Sequence, residues 1–180
     1  MTDFSFTPIE GAAFGTTYLP PYDPTAAISS TNDPSQQPLP FLVGARASAA
    51  DGSEYVFVKA SATIAVNNVL GITVSTSSTS ATPVYTAAPI TKALADQMAE
   101  IAVAYVAIAS GSYGWAITKG ANAVTLKNSC LPSVPLYTTA TAGYLDDTSG
   151  SQTRIYGIRS QKTATASGAA KICWFSNMTV

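Results

Sequence analysis

The chain has no histidine among its 180 residues. Histidine is the commonest general base near neutral pH and the commonest metal ligand, and Ser-His and Cys-His nucleophile pairs depend on it. Its ten acidic residues are scattered along the chain, so no glycosidase-like pair of carboxylates can be assigned. The sequence therefore predicts a protein that is not an enzyme, with no catalytic residue and no cofactor; a hydrolase that uses carboxylates alone is the alternative.

Charge is also scarce, because charged residues make up 11 % of the chain against roughly 25 % in typical soluble proteins. Alanine, threonine and serine replace them, and burying these side chains costs little entropy and no charge desolvation. The net charge is −1 and Lys and Arg form no dense cluster, which argues against nucleic acid as a partner. This composition favours a protein that covers much of its surface with protein partners, although a stable secreted β-domain shows the same bias.

Cysteines and long apolar runs are few as well. Cys130 and Cys173 are too few for a disulfide scaffold and lack the spacing of a metal site, so we predict that both are buried apolar residues. The start of the chain has no basic residues and no long apolar run, unlike a signal peptide. The longest apolar segment, Ile101 to Ala109, is about half of the ~20 residues that a membrane span needs. We expect a product made in the cytoplasm, with no membrane partner.

The first part of the chain, residues 1–41, is predicted to form an extended proline-rich arm, followed by a β-rich domain over residues 42–180. Prolines block helix and ladder pairing repeatedly in the arm, but its aromatic side chains are costly to leave in water. The arm is therefore expected to dock, either on its own domain or on a neighbouring subunit. The predicted partner-binding residues are Phe4, Phe6, Phe14, Tyr18 and Tyr22.

From Leu42 onward, short β-branched and aromatic runs alternate with turn residues, which predicts a mainly β fold: an antiparallel β-sandwich or barrel with one short helix. The dipeptide Asp51-Gly52 predicts a hairpin between Leu42 to Ala47 and Glu54 to Ala60. Turns are expected at Asn67-Asn68, Lys119-Gly120 and Asp146 to Gly150. The further strands are predicted at residues 69–76, 84–87, 113–118, 123–127, 136–139, 154–159 and 171–176.

The segment between Ile90 and Ile108 is ambiguous, because its apolar residues recur at helical spacing while its second half is β-branched and uncharged. We predict a short helix from about Thr91 to Met98 and then a buried strand over residues 101–108. That strand would place Ile101, Val103 and Tyr105 on one face and Val106 and Ile108 on the other. With neither face polar, these five residues are predicted to lie in the core or at an oligomer interface.

Two motifs have structural explanations that we prefer to functional ones. Asp146-Asp147 precedes Thr148-Ser149-Gly150, where aspartates initiate turns, and it lacks the acid spacing of a calcium loop. The glycines of Gly111 to Trp115 lack the spacing and the lysine of a phosphate loop. We predict a solvated turn at the first motif, and at the second a turn with Trp115 as a core anchor.

Several stretches together resemble the capsid decoration, or cement, proteins of tailed bacteriophages. They begin with Tyr55-Val-Phe-Val-Lys-Ala60 and Gly111-Ser-Tyr-Gly-Trp115 with Lys119-Gly120. They continue with Leu136 to Asp147, Arg154-Ile-Tyr-Gly-Ile158 and Thr163-Ala-Thr-Ala-Ser-Gly168. The resemblance implies a β-rich virion protein on the outer capsid surface that clamps major capsid protein subunits and stabilises the capsid, often as a homotrimer. It does not include the arm before Phe41.

The alternative function is a head-fibre module on the virion surface that binds a receptor or a glycan. Nine tyrosines and two tryptophans on a β-scaffold favour it. Such a module needs exposed aromatic rings with Asp or Asn partners, and Tyr144-Leu-Asp-Asp147 is the one cluster that the sequence offers.

Overall fold

The computed structural model describes residues 13–21, 23–25, 27–30, 32–33, 38–77, 80–97, 100–164 and 168–174. In chain order the elements are β1 (Arg46–Ser48), β2 (Glu54–Ala60), β3 (Val69–Ser77), β4 (Ser80–Pro89), α1 (Lys92–Asp96), β5 (Glu100–Ala104), β6 (Tyr113–Leu126), β7 (Leu136–Thr138), β8 (Leu145–Asp146), β9 (Arg154–Ile155), β10 (Ile158–Ser160) and β11 (Gly168–Trp174). The predicted mainly β fold with one short helix is confirmed. Within the described ranges, no helix has the length and apolarity to cross a membrane.

Five strands close into a barrel in the order β2-β4-β3-β5-β6, with β6 returning to β2. Every ladder of the ring is antiparallel except that between β2 and β4, which is parallel. Closure is possible because each of these strands is apolar on its inward face. Closing the ring gives the backbone groups in these ladders a partner, while the outer parts of β3 and β4 extend beyond their ladders to β5 and β2.

Small and β-branched side chains fill the barrel. Along β2, Val56, Val58 and Ala60 point inward and are fully buried, while the residues between them point outward, as the two-residue period of a strand requires. The inward residues of the other strands are Leu70, Ile72, Ala87, Ala102, Ala104 and Ala116, with Ile64 and Ile108 from the connecting loops. Because alanine is small, five alanines fit in the interior of a narrow barrel. This explains part of the high alanine content.

Strand β6 is long and bent. Its first half pairs with β2 and β5 in the barrel, and its second half pairs with β11 from Gly120 to Leu126. Gly120 has a φ of +128° at this point, a conformation that glycine adopts without strain. The prediction of two strands separated by a turn at Lys119-Gly120 is therefore wrong: the glycine bends one continuous strand.

A second hydrophobic cluster lies beside the barrel, between the second half of β6 and strands β7 to β10. Val124, Leu126, Leu136, Leu145 and Ile158 are all buried in it. The predicted single strand over residues 154–159 is interrupted, since Gly157 takes a φ of +82° between β9 and β10. Strand β8 was not predicted, because a two-residue strand has no periodicity to detect.

The ambiguous segment resolves into a helix and a shorter strand. Thr91 caps α1, with its Oγ1 accepting a hydrogen bond of 3.3 Å from the backbone N–H of Leu94, and the predicted short helix is confirmed. The predicted strand to Ile108 is too long. Strand β5 ends at Ala104. The Ala104 N–H donates to the carbonyl oxygen of Asn68, and the Ala104 carbonyl oxygen accepts from the N–H of Asn67, in the turn before β3. The ladder between β5 and β3 ends at that turn.

The hairpin predicted around Asp51-Gly52 is confirmed, with Ala47 opposite Tyr55. Its first strand is displaced toward the turn, because β1 begins at Arg46 and Leu42 is 80 % exposed. The Asp51 side chain accepts a hydrogen bond of 2.9 Å from Ser53 N–H, which lowers the pKa of this carboxyl. The aspartate thus stabilises the turn through its own backbone.

Candidate interaction surface

An aromatic ladder covers the outer face of the barrel where β2 and β6 pair. Phe57 lies opposite Trp115, Tyr55 opposite Ile117, and Lys59 opposite Tyr113. Phe57 and Trp115 are fully buried although they point away from the barrel interior, so Trp115 is an anchor as predicted. These rings are buried only because other parts of the chain cover them.

The N-terminal arm supplies part of that cover. Phe14 stacks on Tyr55, with ring centroids 3.9 Å apart and planes inclined by 10°. Tyr18 and Tyr113 exchange two backbone hydrogen bonds of 2.8 Å, and the Tyr18 ring meets Phe57 edge-on at 5.7 Å. Burial raises the pKa of the Tyr55 phenol, with a smaller contribution from Asp51. The arm is therefore joined to its own domain by rings and by a short ladder.

These contacts place two of the five predicted partner-binding residues. Phe14 and Tyr18 are half-buried against their own domain. Phe4, Phe6 and Tyr22 lie outside the described residues, and their role as partner contacts stays a prediction. Because the described part of the arm already has an intramolecular partner, Phe14 and Tyr18 are only partly accessible to a second protein.

The segment that follows the arm completes the cover. Phe41 meets Phe57 at 5.5 Å and Trp115 at 5.0 Å, both edge-on. Leu39, Val43 and Ala45 pack around the same cluster. Residues on both sides of the predicted boundary at residue 41 thus share one hydrophobic cluster with the barrel.

Tyr18 and Phe41 contact the same ring, that of Phe57, so the segment between them in the chain is anchored at both ends. We call its described residues, 19–21, 23–25, 27–30, 32–33 and 38–40, the proline loop. Within its described residues, Leu19 is 48 % exposed and Ile28 69 % exposed.

The described part of the proline loop is held by its own hydrogen bonds. The Asn32 amide donates from Nδ2 to the carbonyl oxygens of Asp23 and Ala27, and its Oδ1 accepts from Asp23 N–H. The Asp23 carboxylate accepts from both the N–H and the hydroxyl of Thr25. Side-chain bonds of this kind stabilise turns. The loop thus presents exposed apolar groups on a constrained backbone.

The five residues predicted to form a core or interface strand are separated in the structure. Val103 and Ile108 are buried, the second through a bridge to Ile64 outside β5. Ile101 packs with the helix against the second cluster and Val106 against the barrel. Tyr105 is 46 % exposed and sets its ring edge-on to Tyr55 at 6.3 Å. Four of the five are therefore at least partly core, and Tyr105 extends the aromatic face toward solvent.

One group of potential metal ligands exists among the described residues. The ligand atoms of Cys130, Asp146 and Asp147 lie within 4.8 Å of one another. Burial, with smaller contributions from the two carboxylates, raises the pKa of the Cys130 thiol to about 11, so it is protonated and a poor ligand at neutral pH. Asp147 accepts from Leu131 N–H and Asp146 from Asp147 N–H. The predicted solvated turn at Asp146 is wrong at its first residue, because Asp146 lies in β8, pairs with Tyr137 and is half-buried. The group is accounted for as a buried cysteine beside β8 and the hydrogen-bonded residue that follows it.

The sequence reasoning missed the proline loop's exposed Ile28 and the length of the hairpin formed by β3 and β4. The available signal for the hairpin was the run between Lys59 and Lys92, which is uncharged and rich in Val, Thr and Ser.

Comparisons with protein-family models, with curated proteins and with solved structures find no match for this chain.

Proposed function

We propose that this chain is a non-enzymatic virion protein that decorates the outer surface of a phage capsid and stabilises it by clamping major capsid protein subunits, with further copies of itself as a second partner. The observation that carries the proposal is made on the described residues of the proline loop, where Ile28 is strongly exposed and the side chains of Asn32 and Asp23 hold the backbone. The resemblance described above supplies the capsid as the surface.

The proline loop suits docking on a folded protein for an energetic reason. Association is opposed by the ordering of loops and side chains, and a segment held in place beforehand loses less entropy. The bonds of Asn32 and Asp23 hold the described part of the loop before any partner arrives. Ile28, at 69 % exposure, then provides apolar area that a partner can bury.

The sparse charge of the surface supports the same proposal. Three ion pairs occur among the described residues, and all are substantially exposed: Arg46 with Glu100, Lys92 with Asp96, and Lys119 with Glu54. Exposed pairs contribute little to stability. Charged residues make up only 11 % of the chain, so a contact with a capsid can be dehydrated with little burial of unpaired charge.

The glycan-binding alternative has less support from the geometry. In its candidate cluster Leu145 is buried, the Asp146 carboxylate accepts a hydrogen bond from Asp147 N–H, and the Asp147 carboxylate accepts one from Leu131 N–H. The Tyr144 ring has the Lys127 ammonium 5.7 Å from its centroid. An open aromatic platform with free carboxylates, which a sugar site needs, is therefore not formed by these residues.

Reconstitution on phage heads that lack the protein tests the proposal. Purified protein should co-sediment with the heads and raise their resistance to heat and to chelation. Ile28→Asp should weaken binding by about tenfold or more, because it places an unpaired charge in the contact. Leu131→Asp is the matched control, since Leu131 is 53 % exposed at a turn outside the proline loop. Heads whose resistance is unchanged by saturating protein would contradict a cementing role.

A further inference from the structure

The hairpin of β3 and β4 extends beyond the barrel. The two strands pair with each other from Leu70 opposite Pro89 to Ser77 opposite Ser80. Their ladders to the rest of the barrel are much shorter: β5 pairs with β3 only over residues 69–72, and β2 pairs with β4 only at Thr86 and Ala87. Among the described residues, the outer edges of 73–77 and 80–85 therefore have no strand partner.

Within the part of the chain that the structure describes, these two edges lack the usual protection. Exposed edge strands carry unpaired N–H and C=O groups and are normally guarded by lysine, inward-facing charge or coverage. Here no charged residue occurs between Lys59 and Lys92. Val74 and Val84 are 52 % and 38 % exposed, one on each face of the hairpin, because Val74 pairs with Tyr85 and Ser75 with Val84. Pro83 lies in β4, opposite Thr76, and has no backbone N–H to donate.

We propose that the hairpin pairs edge to edge with the hairpin of a second copy of this chain. The free edge of β3 and the free edge of β4 run in opposite directions, so β3 of one copy can extend the sheet antiparallel beside β4 of the next. Such a contact joins different surfaces head to tail, and a head-to-tail contact that closes makes a ring.

The chemistry of the hairpin selects a second copy over another partner. A partner with charged groups at its contact would have to bury them unpaired against an uncharged hairpin, at a large desolvation cost. A second hairpin instead brings hydroxyl and aliphatic side chains of the same kind and backbone groups that satisfy the open edges. A two-stranded ribbon is marginally stable alone, so pairing also stabilises the hairpin itself. This inference rests on the self-association in the proposed function and not on the capsid.

The test compares the assembly state of wild-type protein with that of Val74→Lys/Val84→Lys, by native mass spectrometry and light scattering. We expect the wild type to be an oligomer. The double variant should have a dissociation constant for self-association that is about 100-fold higher or more, since lysines protect edge strands against pairing. Val66→Lys is the matched control, because Val66 is 50 % exposed in the turn before β3 and should leave the oligomer unchanged.

Hydrogen exchange separates edge pairing from other contacts. Amides on the outer edges of residues 73–77 and 80–85 should exchange slowly in the oligomer and quickly in the double variant, with the barrel amides unchanged in both. A monomeric wild type would overturn the inference, and so would an oligomer whose edge amides exchange quickly. Binding of the monomeric double variant to heads is scored separately, so loss of self-association and loss of capsid binding remain distinguishable.

Discussion

Phe14 lies face to face on Tyr55, 3.9 Å between ring centroids, although the two residues belong to the proline-rich arm and to the second strand. The same ring of Phe14 meets Trp115 edge-on at 5.4 Å. Stacked and edge-on contacts of this kind add to the free energy of burial. The arm is thus part of the fold around the aromatic face.

Replacing Phe14 with alanine should lower the free energy of unfolding by about 2 kcal/mol, less than for a fully buried phenylalanine because Phe14 is only half-buried. Chemical denaturation monitored by circular dichroism measures the change. Leu19→Ala, at an exposed arm position, should cost less than about 0.5 kcal/mol. Equal losses in the two variants would show that the stacked pair contributes nothing specific.

Deleting residues 1–40 should leave a folded but less stable domain. Among the described residues, the barrel interior and the second cluster contain none from the arm, but the deletion removes Phe14 and Tyr18 from the cover over Tyr55, Phe57 and Trp115. A lower thermal midpoint and increased binding of an apolar dye are the expected readouts, together with weaker binding to heads. A deletion product without cooperative unfolding would show that the arm is required to complete the core.

Gly120→Ala should be more destabilising than Gly52→Ala. Both positions have positive φ, but a Cβ at Gly120 would lie 2.4 Å from Ser53 Oγ and 3.2 Å from Ser53 Cα, whereas one at Gly52 meets nothing within 4 Å. We expect a loss of about 1 kcal/mol at Gly52 from backbone strain alone and at least about 2 kcal/mol at Gly120. Similar melting temperatures for the two variants would contradict the close approach of Ser53 to the bend.

Cys130 should resist alkylation in the folded protein at pH 8 and react once the chain is unfolded, because its pKa is raised to about 11 and the thiolate is the nucleophile. Peptide mapping after iodoacetamide treatment distinguishes it from Cys173. The unfolded thiol ionises at lower pH than the folded one, so between about pH 9 and pH 11 the unfolded state binds fewer protons and this residue's contribution to stability falls.

Cys130→Ala supplies the reference for that pH dependence. Its stability should fall less steeply than that of the wild type over the same interval, since the variant lacks the titrating thiol. Rapid modification of folded wild-type protein at pH 8 would mean that Cys130 is accessible and ionised, contrary to its burial.

The local features of the fold were predictable where the signal lies within a few residues. The turn at Asp51-Gly52 depends on positive φ and on the Asp51 side chain, and the cap at Thr91 depends on one hydroxyl. The bend at Gly120 was wrongly predicted as a turn, because glycine is found both in turns and at bends within a strand. Only the pairing of β6 with β11 shows that the strand continues through Gly120. The end of β5 depends on Asn67 and Asn68, which are distant in sequence.

The candidate surfaces were less predictable for the same reason. Aromatic content in the arm predicted docking, but the choice between its own domain and another subunit depends on whether a matching face lies within reach. Phe57 and Trp115 supply that face only after β2 and β6 pair.

By itself, the sequence determined the class of fold, the absence of histidine side chains and the scarcity of charge. Each of these follows from which side chains are present and how they alternate along the chain. Tertiary structure alone decided which edges remain open and which rings are covered. Those properties arise when distant strands pair: β5 and β2 pair with only the bases of β3 and β4, and Tyr18 and Phe41 meet on Phe57.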